Sequence, residues 1–430
     1  MRRGRFRGRA FFSIRIMPLA VCLLIFVPLA GLAAGSQSGG SHLSPLLGVH
    51  SHLTRADGED SEFRKREASF QAINEIGFAY VRTGIVWKYV QPSPGVWRWD
   101  EIDSVVRLAK SRGVRILAVV HGPPAWASPA SRHTKEWEKF LTAAVNRYGD
   151  TVKSWEIWNE LNVAKFWPKD APLSGYVDIL KRSQRIIKAK HPDAKVVLAG
   201  MANNERAFDT WRELISLGAL NYCDAVGFHP YKLTGQEILP VYRDLRGMMT
   251  KFAGGDKPIW VTEYGWSAPP PGVKAKEEGR KKKVTDYPGQ ADRILKTYLA
   301  HAAAGGGPFI IYELRDDRNG KFMGIIEKDF NRKPAALALA WIIRKLGPSF
   351  SVVSSKVSGD GMIVDLKTSG GAGYFVTWGR AGYAEMKSEM ASGRAFTPEM
   401  YVNEPPESIM AKLKSGDRAV NERVIFWHAK

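Results

Sequence analysis

The chain has 430 residues, of which 44% are hydrophobic and 25% charged, and its formal net charge at pH 7 is +20. These proportions are typical of a globular protein and exclude a disordered or collagen-like chain. The basic charge balance attracts polyanions such as nucleic acid, anionic lipid or acidic polysaccharide. The sequence contains no helix-turn-helix, RNA-recognition or zinc-knuckle pattern, so we expect no nucleic-acid partner.

The N-terminal segment 1–34 has the pattern of an export signal. It contains six arginines and no acidic residue, and an apolar run extends from Ile16 to Ala34. We predict a cleaved signal peptide and a protein that is exported to the periplasm or secreted. An uncleaved inner-membrane anchor facing the periplasm, with membrane association through residues 16–34, is the alternative, because the run is near the lower limit for crossing a bilayer. After cleavage Cys223 would be the only thiol, which excludes an intramolecular disulfide.

Beyond a linker at residues 35–43, strand-like apolar runs alternate with amphipathic helical stretches. The eight runs are Leu46–His50, Ala79–Thr83, Val114–His121, Ser154–Glu160, Lys195–Gly200, Ala225–His229, Pro258–Glu263 and Pro308–Glu313. The helical stretches include Glu62–Glu75, Asp100–Arg112, Glu136–Tyr148, Leu173–Lys190 and Gln290–Ala303, and the last one is Ala335–Leu346. Eight such repeats predict an α/β fold, a (β/α)₈ TIM barrel over residues 44–347, whereas fewer would favour a doubly wound sheet.

Residues 348–430 have a different pattern, in which short strand-like segments are separated by glycine-rich turns. The segments are Ser351–Lys356, Met362–Lys367, Tyr374–Trp378 and Val424–Trp427. We predict a small C-terminal β-rich domain that packs on the barrel. A set of loops decorating the barrel is the alternative interpretation.

Two glutamates stand where barrel enzymes place their chemistry, at the C-terminal ends of strands. The fourth run ends in Trp-Glu-Ile-Trp-Asn-Glu, which closes with Glu160, and the seventh contains Val-Thr-Glu-Tyr-Gly-Trp, whose acid is Glu263. An unpaired acid beside an apolar run costs free energy and needs a partner or a purpose. Each acid alone could be a structural ion-pair member. Three βα units apart, the two can face each other across the barrel mouth, as hydrolysis of a glycosidic bond requires.

The two motifs resemble the acid/base and nucleophile motifs of clan A glycoside hydrolases, and the pattern is family 39-like. That family includes bacterial endoglycosidases associated with exopolysaccharide production. The resemblance covers roughly residues 44–347. It implies a retaining mechanism with Glu160 as general acid/base and Glu263 as nucleophile. We expect no cofactor.

The resemblance also implies substrate-binding roles for further residues at the barrel mouth. Asn159 would bind the sugar 2-hydroxyl, Tyr231 would donate to the nucleophile, and Arg82 would orient the nucleophile. His229, in the segment His-Pro-Tyr, and His121, followed by Gly-Pro-Pro-Ala-Trp, are also family-like. From the residues alone, Arg82 could instead be a barrel-interior counter-ion, and both histidines could be core residues. We expect no metal, because no His/Asp spacing supports a metal site.

Two positions depart from the family pattern, since Leu161 follows the acid where Pro is usual and Tyr312 replaces a common Trp platform. The tryptophans are clustered in sequence at Trp87, Trp97, Trp99, Trp155, Trp158 and Trp167. Trp126, Trp167 and Trp266 could each be either a core residue or a platform for a sugar ring. Further candidate rim residues are His50, His52, Asp316 and Asp317.

A basic loop, residues 274–283, follows the seventh run and holds six Lys or Arg residues against two Glu residues. It could be a solvated charge run, or it could bind an acidic polysaccharide or membrane headgroups.

From the two glutamate motifs and the resemblance they carry, we expect an exported retaining glycoside hydrolase whose partner is a polysaccharide or oligosaccharide substrate. We expect it to be endo-acting on a bacterial exopolysaccharide rather than a disaccharidase. The alternatives are a non-hydrolytic polysaccharide-binding or assembly protein on a barrel scaffold, and a transglycosylase that uses the same residues.

Overall fold

The central element is a closed barrel of parallel strands. The computed structural model describes residues 42–43, 46–54, 65–168, 171–252, 255–273, 284–316, 322–347, 349–402, 404–417, 420 and 422–429. A short strand, β1 (His42–Leu43), precedes the barrel strands, which are β2 (Leu47–His50), β3 (Tyr80–Val86), β4 (Arg115–His121), β5 (Ser154–Ile157), β6 (Lys195–Ala202), β7 (Ala225–His229), β8 (Ile259–Tyr264) and β9 (Phe309–Ile311). Pairing of β2 with β9, with Val49 opposite Ile311, closes the barrel.

Helices surround the barrel and follow its strands along the chain. They are α1 (Arg66–Ile76), α2 (Trp87–Val90), α3 (Asp100–Ser111), α4 (Thr134–Tyr148), α5 (Leu173–Lys190), α6 (Ala207–Ser216), α7 (Ile238–Met249), α8 (Tyr287–Ala303) and α9 (Pro334–Leu346). Every residue of β2, β5 and β7 is buried. Strands covered on both faces have nearly continuous apolar sequences, which is why the eight runs were recognisable. The predicted (β/α)₈ barrel is confirmed.

Inside the barrel, an apolar layer lies below a polar one. The apolar cluster consists of Tyr80, Leu117, Val197, Ala225, Trp260 and Ile310. Side chains alternate along a strand, so the residues two positions beyond Tyr80 and Trp260 also point inward, one layer nearer the C-terminal mouth. Those residues are Arg82 and Thr262, and both are buried.

The second sheet is antiparallel and comprises β1 together with the C-terminal strands. These are β10 (Phe350–Ser358), β11 (Gly361–Thr368), β12 (Gly373–Trp378), β13 (Phe396–Glu399) and β14 (Ile425–Ala429), in the order β1-β10-β11-β12-β14-β13. The predicted C-terminal sheet is therefore confirmed. The sequence did not predict β13, nor the helices α10 (Gly379–Ala391) and α11 (Pro406–Ser415). The last residues of the predicted linker form β1, where His42 pairs with Val352.

Ring contacts and hydrogen bonds join the sheet to the barrel, within one compact unit of residues 35–430. The Trp341 ring of α9 packs edge-on against Phe426 of β14, with centroids 4.9 Å apart. The indole nitrogen of Trp378 donates to the side-chain oxygen of Gln236 at 2.8 Å. These contacts fix the sheet against helices of the barrel wall.

In the part of the chain that the structure describes, no helix combines the length and apolar character needed to cross a bilayer. The predicted signal or anchor, residues 1–34, lies outside the described residues.

Candidate active site

Arg82 is the hub of the polar layer inside the barrel, and it is 1% exposed. Its Nε donates to Glu156 Oε2 at 2.6 Å, and its Nη1 donates to Glu263 Oε1 at 2.6 Å. Its Nη2 donates to Asn159 Oδ1 at 2.8 Å, and Nη1 also lies 3.0 Å from His50 Nδ1. A guanidinium suits this position because its fixed fork of donors serves several acceptors at once. Arg82 thus connects four neighbouring side chains in one rigid arrangement.

Glu263 lies near the C-terminal end of β8, and its side chain is 12% exposed. Its second oxygen, Oε2, accepts a hydrogen bond from the Tyr231 hydroxyl at 2.9 Å. Burial by itself would raise the pKa of Glu263, but the charges of His229 and Arg82 and the hydrogen bond from Tyr231 together hold that pKa below its usual value. The carboxyl group of Glu263 is therefore held as a carboxylate.

Glu160 and Asn159 reach the barrel mouth because the backbone leaves strand geometry before them. The sequence predicted a strand to Glu160, but β5 ends at Ile157. In a continued strand the adjacent residues 159 and 160 would point to opposite faces. Instead Trp158 and Glu160 have positive φ angles of 76° and 41°, and the Glu160 amide donates to the Gly200 carbonyl at 2.9 Å. Left-handed backbone at non-glycine residues is uncommon and concentrates at functional sites.

His229 links Glu160 to the buried polar layer. Its Nδ1 lies 2.9 Å from Glu160 Oε1, and its Nε2 lies 2.9 Å from the Thr262 hydroxyl oxygen. The Thr262 hydroxyl donates to Glu156 Oε1 at 2.9 Å, and the Gly200 amide donates to the same oxygen at 3.0 Å. Burial lowers the pKa of His229, but the charges of Glu263 and Glu160 outweigh that effect and raise it.

The hydrogen-bond directions fix one proton on the His229 ring. Because the only hydroxyl proton of Thr262 is directed to Glu156, the Thr262 oxygen must accept from Nε2–H of His229. Nδ1 of the neutral ring therefore carries a lone pair that faces Glu160. That nitrogen can accept from a protonated Glu160, or donate to an ionised Glu160 when the ring is an imidazolium.

The two acids approach each other closely at the mouth of the barrel. One carboxylate oxygen of Glu160, one of Glu263 and a ring nitrogen of His229 all lie within 4.8 Å of one another. Three such atoms could in principle hold a metal ion. Arg82, 2.6 Å from Glu263, already supplies a positive charge that opposes a cation there. The arrangement therefore disfavours a metal ion between the two carboxylates.

Comparison with known proteins agrees with this geometry. The profile of the cellulase family, glycosyl hydrolase family 5, matches residues 44–290. The chain belongs to this family. It is therefore a glycoside hydrolase, and the predicted resemblance to clan A of these enzymes is confirmed.

Solved structures of glycoside hydrolases share the fold of this hydrolase. A family 39 glycoside hydrolase from Bacteroides cellulosilyticus WH2 superposes with a TM-score of 0.61 at 20% identity, over 78% of this chain and 70% of that one. A GH39 beta-xylosidase from Caulobacter crescentus superposes with a TM-score of 0.57 at 16% identity, over 90% of this chain and 96% of that one. A GH39 enzyme from Xanthomonas axonopodis pv. citri gives a TM-score of 0.55 at 17% identity, over 80% and 73% of the two chains.

Two further predicted site residues of the hydrolase, His121 and Tyr312, follow or end barrel strands near the two acids. His121 ends β4, and burial, followed by the nearby charge of Arg82, lowers its pKa to about 4. Tyr312 follows β9 with its ring centroid 6.3 Å from that of Tyr231 and 5.0 Å from that of His50. Both residues are half-buried, and Tyr312 lies beside Tyr231, the hydrogen-bond donor to Glu263.

Two of the predicted aromatic platforms have different surroundings. Trp126 is half-buried, and its indole nitrogen donates to the Gln91 carbonyl at 3.3 Å. Trp266 is only 3% exposed, and the Arg293 guanidinium lies 4.4 Å from the centroid of its ring. The structure therefore gives no support to a substrate contact by Trp266, whose position is that of a packing residue.

The candidate rim residues differ in whether they lie at the barrel mouth. His52 lies at the mouth, with Nε2 3.3 Å from the Tyr312 hydroxyl and 3.5 Å from Glu313. Asp316 is buried and paired with Lys333 at 2.8 Å, which removes it from the substrate surface. Asp317 lies outside the described residues, as does the basic loop 274–283.

Sequence reasoning missed two members of the polar layer. Glu156 lies in the motif Trp-Glu-Ile-Trp-Asn-Glu but received no role from the sequence, and the structure buries it completely between Arg82 and Thr262. Thr262 was not singled out at all. The signal that could have found it is its position two residues after Trp260, since alternation turns both side chains into the barrel.

Proposed function

We propose that this glycoside hydrolase cleaves its substrate with retention of anomeric configuration, with Glu263 as nucleophile and Glu160 as general acid/base. The observation that carries the proposal is the approach of the two carboxylates, whose oxygens lie within 4.8 Å. Retaining enzymes hold their carboxyl groups ~5–5.5 Å apart, whereas inverting enzymes leave ~6.5–9.5 Å for a water molecule. The short separation supports double displacement.

The different surroundings of the two acids support their different roles. Glu263 receives Arg82 at 2.6 Å and Tyr231 at 2.9 Å, which stabilise its ionised form and aim it. Glu160 instead faces the imidazole of His229 at 2.9 Å, a group that exchanges a proton near neutral pH. A permanently ionised carboxylate suits a nucleophile, and a carboxyl group beside a proton-exchanging ring suits an acid that later acts as a base.

The reaction would proceed in two displacements. In the first, Glu263 attacks the anomeric carbon while Glu160 gives its proton to the departing glycosidic oxygen, which leaves a glycosyl ester on Glu263. In the second, Glu160 removes a proton from water, whose oxygen attacks the same carbon and releases the Glu263 carboxylate. We assign the 2-hydroxyl of the reacting sugar to Asn159, whose side-chain oxygen accepts from Arg82 at 2.8 Å.

We further propose that the substrate is a polysaccharide or oligosaccharide, cleaved internally, and that an exported bacterial exopolysaccharide is the natural polymer. Support for an acidic polymer comes from two exposed lysines near His121. The charge of the exposed Lys88 is close enough to His121 to lower its pKa. Lys165 Nζ lies 5.5 Å from the Phe166 ring, which itself contacts His121 at 6.3 Å. Exposed cations at the mouth favour anionic chains.

The test of the mechanism is the anomeric configuration of the first product. A β-linked aryl glycoside or oligosaccharide that the enzyme cleaves would be followed by proton NMR from the first minutes of reaction. The β anomer should appear first and mutarotate later. Initial release of the α anomer would overturn the retaining mechanism.

Incubation with a panel of polysaccharides and sizing of the products would test endo action, because an exo enzyme releases only mono- or disaccharides. Products longer than the substrate, formed with added acceptor sugars, would favour the transglycosylase alternative.

A further inference from the structure

The segment after β3, residues 87–99, presents aromatic side chains outside the catalytic pair. We propose that Tyr89 and Trp97, here called the 89–97 platform, form an accessory binding site for a pyranose ring of the substrate's glycan chain. The proposal rests on the proposed action on a polymer. It deepens that function by adding a second place where the chain is held.

The platform is unusual in exposing aromatic surface. Tyr89 is 39% exposed, Val96 is 45% exposed and Trp97 is 38% exposed. Trp87 in the same segment is completely buried, and it packs on Trp137 and Phe140. Apolar surface left in water forgoes the stabilisation that burial gives. A flat ring that stays half-exposed is available to bind the apolar face of a ligand.

The platform is rigid before any ligand arrives. The Arg98 amide donates to the Val90 carbonyl at 2.8 Å, which brings the two ends of the loop together and places Tyr89 and Trp97 next to the same closure. The Trp97 ring stacks on Trp99 with centroids 5.5 Å apart and planes 8° from parallel. Trp99 in turn packs edge-on against Tyr148 at 5.7 Å. One face of Trp97 is therefore covered, and the ring is held flat for contact on its other face.

The platform segment is bonded to the chain that follows β4. The Trp126 indole nitrogen donates to the Gln91 carbonyl at 3.3 Å, and the Lys88 amide donates to the Gly122 carbonyl at 2.9 Å. Both bonds attach the platform segment to the chain that follows His121 at the end of β4.

The size and chemistry of the surface fit a sugar rather than a protein. An aromatic side chain offers ~150–250 Å² in total, so the exposed parts of these side chains amount to on the order of 200 Å². A stable protein interface needs ~800 Å² from each partner. A pyranose ring has one face of C–H groups that can lie on a flat aromatic ring, and its hydroxyls reach polar neighbours such as Ser93, Arg98 and Lys88, which borders the Tyr89 ring at 5.1 Å.

The test compares polymer binding with small-substrate turnover in Trp97→Ala, Tyr89→Ala and the double variant. The matched control is Leu217→Ala, which removes an apolar side chain of similar exposure, 40%, from another part of the surface. Binding would be measured by electrophoresis in gels containing xylan, galactomannan, carboxymethyl cellulose or alginate, and turnover with an aryl glycoside. Trp97→Phe, which keeps a flat ring, guards against a folding defect.

Each platform variant should bind the retarding polysaccharide about three- to tenfold more weakly, and the double variant more weakly still. Aryl glycoside turnover should stay unchanged, and Leu217→Ala and Trp97→Phe should bind much like the original enzyme. Unchanged retardation in the double variant would overturn the platform and leave the proposed function intact. Retardation of the original enzyme by none of the polysaccharides would also overturn it. Loss of aryl glycoside turnover in Tyr89→Ala would assign that residue to the catalytic site instead.

Discussion

Nδ1 of His229 lies 2.9 Å from Oε1 of Glu160, and it faces that oxygen with a lone pair whenever the ring is neutral. The proton of the neutral ring is held on Nε2, because the Thr262 oxygen accepts from Nε2–H while the Thr262 hydroxyl donates to Glu156. A general acid must be protonated at the start of the reaction and ionised in the middle. His229 can accept from the first form and, when charged, donate to the second.

Replacing Thr262 tests whether this network sets the state of the general acid. In Thr262→Val the Nε2–H of His229 loses its acceptor, so the neutral ring should carry its proton on Nδ1 and favour the ionised form of Glu160. The alkaline limb of kcat/KM should then move to lower pH, with roughly a 10–100-fold loss at the optimum. Thr262→Ser, which keeps the hydroxyl, should restore the profile. A profile of Thr262→Val that is lowered equally at all pH values would indicate a packing defect alone.

Removing the Tyr231 hydroxyl should weaken the nucleophile at low pH. The phenol donates to Glu263 Oε2 at 2.9 Å and helps to hold the pKa of Glu263 down. In Tyr231→Phe that pKa should rise, so the carboxylate becomes protonated at higher pH and the acidic limb of kcat/KM shifts upward. Tyr312→Phe is the matched control, because its hydroxyl lies 3.3 Å from His52. Equal shifts in the two variants would contradict a specific role for Tyr231.

Arg82 should be indispensable to both stability and activity. Arg82→Met leaves Glu156 buried without its cation, which typically costs ~3–5 kcal/mol of unfolding free energy. Arg82→Met combined with Glu156→Gln should recover much of that stability, because the buried charge is gone. Activity should not return, since Glu263 and Asn159 remain unoriented. Chemical denaturation and kcat measurements on the two variants separate these effects. Recovery of activity in the double variant would assign Arg82 a structural role only.

Buried neutral histidines should make the fold sensitive to acid. His301 is completely buried, its Nε2 lies 2.7 Å from the Gly307 carbonyl, and burial lowers its pKa to about 4. The unfolded chain takes up this proton near pH 6.5, so stability is fully present above that pH and is lost as the pH falls toward about 4. The loss amounts to roughly 3 kcal/mol. His301→Gln should be less stable at pH 7, yet its stability should fall less steeply between pH 6 and 4.5. An unchanged slope would contradict this origin of acid sensitivity.

The barrel could be read from the sequence because its physical signal is strong. A parallel strand covered on both faces must be apolar along its whole length, and the run ending at His229 matches β7 at both ends. The proposed catalytic pair stood out in the sequence because Glu160 and Glu263 interrupt such runs where strands end. Alternation of side chains does not by itself place Glu263, because Thr262 directly before it already points into the barrel. The pairing of β8 with β9 shifts register between Val261 and Tyr264, an irregularity of the kind that redirects a side chain at a barrel rim.

Features set by local backbone geometry or long-range packing could not be read. The left-handed turns at Trp158 and Glu160 carry no compositional signal, so the fourth strand was predicted three residues too long. The burial of Trp266 depends on Arg293, which is distant in sequence and covers its ring. Helices α10 and α11 were missed because the glycine-rich turns around them suggested strands alone.

The central claim is that Glu263 forms the covalent bond to the sugar, and the most direct measurement is to trap that bond. A 2-deoxy-2-fluoro glycoside of the preferred sugar, with a good leaving group, slows the second displacement so that the intermediate accumulates. Intact-mass spectrometry should show one added fluorosugar per chain, and peptide mapping should place it on Glu263, with no adduct in Glu263→Gln. An adduct on Glu160 or on another residue, or turnover of the reagent without any adduct and with release of the inverted sugar, would contradict the account.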